Sequence, residues 1–196
     1  MIRASLTKFV LPLAFAVGLT ATPALADVES YAIDKDHTSI VFNVNHMGFS
    51  TFVGEFTDFD GAISFDREDP SKSSVTFTID MKSVETNVPK LDEHLQSADF
   101  FDVAKFPTAT FKSTAIEVTG DNTAKITGDL SLHGVTKPVT LTVTLNKAAK
   151  HPFFDAYVAG FTGSATVTRT EFGIKTYAPA VGDQVDILIN LEGTRQ

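Results

Sequence analysis

Val139-Thr140-Leu141-Thr142-Val143-Thr144-Leu145-Asn146 alternates apolar and polar residues without a break. Successive side chains of a β-strand point to opposite faces, so this run reads as a strand with one buried and one wet face. The same period of two extends outward from it along the chain. Upstream, Ile40, Phe42, Val44 and His46 alternate with Val41, Asn43 and Asn45, and Val75, Phe77, Ile79 and Met81 alternate with Thr76, Thr78, Asp80 and Lys82. Ile126, Leu130 and Leu132 do the same against Lys125, Thr127, Asp129 and Ser131. Downstream, Ala159, Phe161, Ala165 and Val167 precede Val185, Ile187, Ile189 and Leu191. Asp60-Gly61, Asp69-Pro70, Gly120-Asp121-Asn122, His133-Gly134 and Gly182-Asp183 punctuate these runs as turns.

Weaker runs lie around Phe52–Phe56, Ile63–Phe65 and Thr110–Val118. With them, the expectation is an all-β, antiparallel fold of about eight strands or a few more, a sandwich or a barrel. One segment departs from it. Asn87 is placed to cap a short helix with Pro89 in its first turn, over Lys90-Leu91-Asp92-Glu93-His94-Leu95-Gln96. Leu91, Leu95 and Phe101 would face the barrel end or a strand edge.

The first 26 residues have the order of a secretory signal. Arg3 and Lys8 precede the apolar stretch Phe9–Leu19, and Ala24-Leu25-Ala26 offers a small-residue cleavage site. The apolar stretch is too short for a bilayer span, and Pro12 and Pro23 interrupt the segment. Residues 27–196 are therefore expected as one domain, free in the periplasm or outside the cell. Cleavage would remove Arg3 and Lys8 and take the formal charge from -8 to -10. Such an acidic surface repels phosphate backbones and anionic headgroups, and so argues against nucleic-acid binding and against electrostatic membrane docking. Cysteine is absent, so neither a disulfide nor a lipidated N-terminal cysteine is available. A membrane-embedded barrel does not fit either, because tryptophan is absent, tyrosine is scarce and the outward positions are Thr, Lys, Asp and Asn.

No catalytic residue is assigned. Gly-x-Ser-x-Gly, a cysteine nucleophile, a phosphate-cradling glycine loop and a dinucleotide fingerprint are all absent. No cofactor and no metal are implied, since His37, His46, His94, His133 and His151 form no helical His-x-x-x-His pair. His37 and His133 suit turn hydrogen bonds. His46 shares the inward face of Phe42 and Val44 and needs a polar partner there: a neighbouring turn first, then the polar head of a bound lipid, with a metal ion the weakest of the three. Asp36-His37 and Arg169 with Glu171 read as salt-bridge clusters at strand ends. An enzyme would need Asp36, His37 and His46 to converge. A barrel of eight strands can enclose a small ligand, and the chain's many phenylalanines could pack a dry core or line an apolar tube.

Longer blocks carry a resemblance. Asp36-His37-Thr38-Ser39, Phe42-x-Val44-x-His46-x-Gly48, Val53-Gly54-x-Phe56 and Gly61-x-Ile63-x-Phe65-Asp66 come first. Ser83-Val84-x-Thr86, Asp92-x-His94-Leu95-x-Ser97-x-Asp99-Phe100-Phe101-Asp102 and Phe106-Pro107-x-Ala109-Thr110-Phe111 follow. Gly128-Asp129-Leu130-x-Leu132-His133-Gly134-Val135-Thr136-Lys137-Pro138-Val139 and Arg169-x-x-Phe172-Gly173 complete them. Over nearly all of residues 27–196 the chain resembles the YceI-like family of exported polyisoprenoid-binding proteins. It departs at Leu91, where the family often has arginine, and at Glu171, where aspartate is commoner.

The resemblance implies a lipocalin-like antiparallel barrel whose lumen holds a polyisoprenoid, such as an isoprenoid-quinone precursor, or another long apolar lipid, and implies no catalysis. The lining expected from alternation and the matched blocks is Phe42, Val44, Ile63, Phe65, Phe77, Ile79, Phe111, Leu130, Leu132, Phe161 and Ile187, with His46 as a head-group contact. The alternative is a stress-response or protein-interaction module whose barrel is packed shut. Whether two chains associate as a homodimer is left open.

Overall fold

The computed structural model describes residues 28–196, so the expected signal segment lies outside the described residues. Its strand segments are β1 (Glu29–Ile33), β2 (Ser39–His46), β3 (Ser50–Phe56), β4 (Phe59–Phe65), β5 (Ser74–Asp80) and β6 (Val84–Glu85). After the helix α1 (Pro89–Gln96) come β7 (Thr108–Gly120), β8 (Thr123–Leu132), β9 (Val135–Lys150), β10 (Tyr157–Thr168) and β11 (Val181–Arg195). Every pairing is antiparallel.

Several segments are pieces of one longer strand. β1 and β2 both lie against β11, at Ile33↔Gly193 and Ser39↔Asn190, separated only by the 3₁₀ turn Lys35–His37. β3 runs into β4, and β5 reaches β6 through Met81–Ser83. The result is a closed barrel of eight antiparallel strands, each beside its chain neighbour, sealed where β1 meets β11. Closure pairs the strand edges that an open sheet would leave exposed.

The connections fall at two poles. The β2–β3 turn, the α1 segment, His133-Gly134 and the Arg169–Ala180 connection form the helix pole. The β4–β5, β7–β8 and β9–β10 connections form the opposite pole. No helix among the described residues is long and apolar enough to cross a membrane.

Helix α1 lies where its sequence suggests, but its cap differs. Val88 is the N-cap residue and Asn87 adopts a left-handed φ of 60°. Thr86 does the local bonding instead, donating its hydroxyl to Asp92 at 2.6 Å and accepting from the Val88 amide at 3.3 Å. Asp92 thus has a partner although Leu91 stands where a neighbouring arginine is common in the family. Leu91 points into the barrel.

Burial inside the barrel is uneven. Ile40, Phe56, Met81, Val84, Phe172 and Ile174 are buried, as are Tyr31, Phe65, Ala159 and Leu191 nearer the opposite pole. Ile126, Leu130, Val139, Leu141 and Val143 also face inward on β8 and β9, yet remain only half-buried. A densely packed core would cover them. They border a hollow.

Candidate ligand-binding lumen

The hollow is a cavity of about 550 Å³ running along the barrel axis, bounded almost wholly by carbon. Small-molecule sites span roughly 300–1,000 Å³, so its size is that of a ligand site rather than a packing defect. Ala124 and Leu132 on β8 both line it. Eight residues of strand separate them, about 27 Å at the usual rise, or about 20 Å along the axis of a tilted barrel. The space is long and narrow.

All twelve positions expected from the sequence border this cavity: Phe42, Val44, His46, Ile63, Phe65, Phe77, Ile79, Phe111, Leu130, Leu132, Phe161 and Ile187. They share one wall system because the cross-strand register matches inward residues to inward residues, as at Phe42↔Ile187, Phe77↔Phe111 and Phe111↔Leu130. Further lining residues come from β9 (Val139, Leu141, Val143, Leu145), from Phe52 and Phe56, and from Ile116 and Val118. Leu91, His94, Leu95, Phe100 and Phe101 of the helical segment close the helix pole.

Two glycines keep the bore clear. A Cβ on Gly54 would stand 2.2 Å from the Phe42 ring, and one on Gly128 would stand 2.4 Å from the Phe111 ring. Each phenylalanine therefore lies flat on bare backbone instead of projecting across the lumen. Gly163 behaves differently. A Cβ there would meet nothing nearer than Val143 at 3.6 Å, so a larger side chain at this position has the lumen to grow into.

Polar groups gather at the helix pole. His46 lines the cavity, half-buried, with its ring 6.5 Å from that of Phe52. Among the described residues its imidazole has no turn partner. His94 bonds Asp99 at 3.1 Å and packs against Phe100 and Tyr177 at 5.0 and 6.1 Å. His133 does not bond within its own turn but reaches across to the β10–β11 connection, to the carbonyl of Phe172 at 3.0 Å.

Arg169 corrects the expected surface ion pair. It is 6% exposed, and its guanidinium donates to the carbonyls of Gly182, Ile174, Thr176 and Val181 at 2.8–3.0 Å. Burial pushes its pKa down and Asp183 acts against that, but a guanidinium remains charged in proteins. Glu171 instead meets Lys137 at 3.1 Å on the surface. The chain reverses through Gly173 at φ 84°, which brings four carbonyls, rather than a carboxylate, around the fork.

Asp36, His37 and His46 do not converge. His37 bonds Asp34 at 2.9 Å on the outer wall, which raises the imidazole pKa. His46 lies at the far end of β2, about 25 Å of strand away.

The family model for the YceI-like domain matches residues 31–193. The chain belongs to the YceI-like family. A UPF0312 protein of Pseudomonas paraeruginosa is 45% identical over 179 residues, covering 90% of this chain and 92% of the relative. One from Pseudomonas savastanoi is 40% identical over the full length of both. Among solved structures, Burkholderia cenocepacia BcnA superposes with a TM-score of 0.75 at 25% identity, covering 82% of this chain and 98% of BcnA. The Campylobacter jejuni YCEI protein gives 0.71 at 28% identity, covering 78% and 90%. A polyisoprenoid binding domain from Saccharophagus degradans shares the fold, with a TM-score of 0.65 at 15% identity over 86% of this chain and 99% of that domain.

Proposed function

We propose that this YceI-like protein is a carrier that holds one long apolar lipid, a polyisoprenoid or a similar amphiphile such as an isoprenoid-quinone precursor, inside its barrel. The observation that carries the reading is the lumen, about 550 Å³ of carbon-lined space closed by α1 at one pole. Moving a CH₂ group from water into such a space is worth roughly 0.8 kcal/mol. A tail of many carbons therefore outweighs the ordering losses of binding. Selection would be by girth and length, because apolar contacts discriminate weakly between similar chains.

In this reading the eleven apolar positions among the twelve are the tail contacts, and His46, whose ring has a free polar edge at the helix pole, meets the polar head. The 1–26 segment is a cleaved export signal and the carrier works in the periplasm, a reading supported by the sequence order of that segment. The solved polyisoprenoid binding domain with the same fold supports the choice of ligand class. No catalytic role is assigned to the lumen.

The test is solvent extraction of the protein purified from its own cells, followed by mass spectrometry of the organic phase. The expected result is a stoichiometric long-chain lipid. Repeated recovery of a lipid-free protein that also refuses added polyprenol would overturn the reading.

A further inference from the structure

At the pole opposite α1 the lumen has a mouth, where Val118 lines the cavity and is still 49% exposed. The β9–β10 hairpin extends past this mouth. β8 begins at Thr123 opposite Thr144, whereas β9 and β10 stay paired as far as Lys150↔Tyr157. At the hairpin tip Phe153 and Phe154 are 84% and 69% exposed.

The tip is a built feature. The His151 amide donates to the carbonyl of Ala156 at 2.7 Å, and the Phe153 amide donates to the His151 ring at 3.3 Å. That ring stacks on Phe154 at 4.8 Å. The turn thus fixes two adjacent aromatic rings in water. Lys147 and Lys150 precede them on β9, and Asp155, paired with Lys150 at 2.9 Å, is the one acid of residues 147–157. The hairpin is a locally cationic, aromatic point on a strongly acidic molecule.

We propose that this tip is an interfacial anchor that sets the Val118 pole of the barrel on a lipid bilayer. Phe153 and Phe154 enter the boundary between headgroups and acyl chains, and Lys147 and Lys150 face anionic lipid phosphates. Two rings on a narrow tip bury a few hundred Å² at most, well short of the ~800 Å² per partner of a standard protein interface. Interfacial insertion asks only for exposed aromatics beside cations. The place of the anchor also fits: hydrocarbon leaving the Val118 mouth needs a hydrocarbon phase next to it. Its purpose rests on the carrier reading; its test does not.

The chain has no tryptophan, so a single one reports its own surroundings. Phe154→Trp and, at the opposite pole, Phe49→Trp (Phe49 is 86% exposed) are each mixed with vesicles of phosphatidylethanolamine and phosphatidylglycerol. The anchor predicts a blue-shifted emission for Phe154→Trp and an unchanged one for Phe49→Trp. In flotation, Phe153→Ser/Phe154→Ser should bind the same vesicles about tenfold more weakly or worse, with its melting temperature unchanged. An unshifted Phe154→Trp, a shift at Phe49→Trp instead, or undiminished flotation of the double variant would overturn the proposal, as would a tip that answers only to a protein. Uptake of a long-chain polyprenol from dilute ethanol should be equal in parent and double variant. Its absence in both would defeat the carrier reading and leave the docking result standing.

Discussion

At the scale of the residue, bore and wall are set by a few close approaches. Gly54→Ala puts a methyl group into the Phe42 ring, 2.2 Å from its nearest atom. The ring must swing into the lumen, with an expected loss of about 1–3 kcal/mol of stability by urea denaturation and a narrower ligand range. Arg169→Met leaves four carbonyls without their donor. The expected loss is about 3 kcal/mol or more, and Arg169→Lys should restore little of it, because an ammonium cannot reproduce the planar fork. A denaturation midpoint for either Arg169 variant equal to that of the parent would refute this. The inward position of Phe42 was legible from alternation alone. The environment of Arg169 was not, since four backbone carbonyls leave no mark in sequence and Glu171 offered an obvious but wrong partner.

At the scale of the element, alternation is a good guide until a strand changes parity. β7 points Ala109 and Phe111 inward, but a bulge between Ser113 and Ala115 shifts the register, so Ile116 and Val118 continue the lining on even numbers. Nothing in the residues around Ser113 announces that extra step, and the twelve expected positions therefore omit both. His94 and Tyr177 escape for a related reason: a helix and a loop carry no period of two.

The seam that closes the barrel makes a prediction about pH. Tyr31 donates to Glu29 at 2.6 Å, and Arg195 of β11 reaches the same carboxylate at 2.6 Å. The Tyr31 bond holds the Glu29 pKa below its usual 4.5, against burial and with help from Arg195. Burial, with Glu29 beside it, raises the Tyr31 pKa above its usual 10.0. A lowered carboxylate pKa stabilises the fold above the unfolded value, and that contribution disappears as pH falls through the folded value. A raised phenol pKa stabilises below pH 10.0, and its contribution fades as pH climbs past that point toward the folded value. Stability should therefore sag below pH 4.5 and above pH 10.0. Tyr31→Phe should flatten the alkaline limb and weaken the acid one, as read from urea midpoints across pH. An alkaline limb unchanged in Tyr31→Phe would disprove the assignment.

At the scale of the whole molecule, the sequence pattern states an antiparallel all-β fold plainly, because each run has one apolar face and turn residues separate the runs, and the family resemblance selects a barrel over a sandwich. What it cannot state is whether facing side chains meet. That depends on barrel radius and on how Phe42 and Phe111 lie against Gly54 and Gly128, which are three-dimensional facts. The facing side chains do not meet, and the lumen lies between them. Gly163→Leu and Ala165→Phe add side chains at inward positions of β10 with room ahead of them, and should plug the lumen while leaving the fold and its melting temperature intact. The most direct measurement is a native mass spectrum of the lipid-stripped protein after incubation with a long-chain polyprenol, beside the same spectra for the two plugged variants. A hollow barrel predicts one lipid per parent chain and at least about a tenfold loss of that species in both variants. No mass increment in the parent, or equal occupancy in parent and plugged proteins, would contradict it.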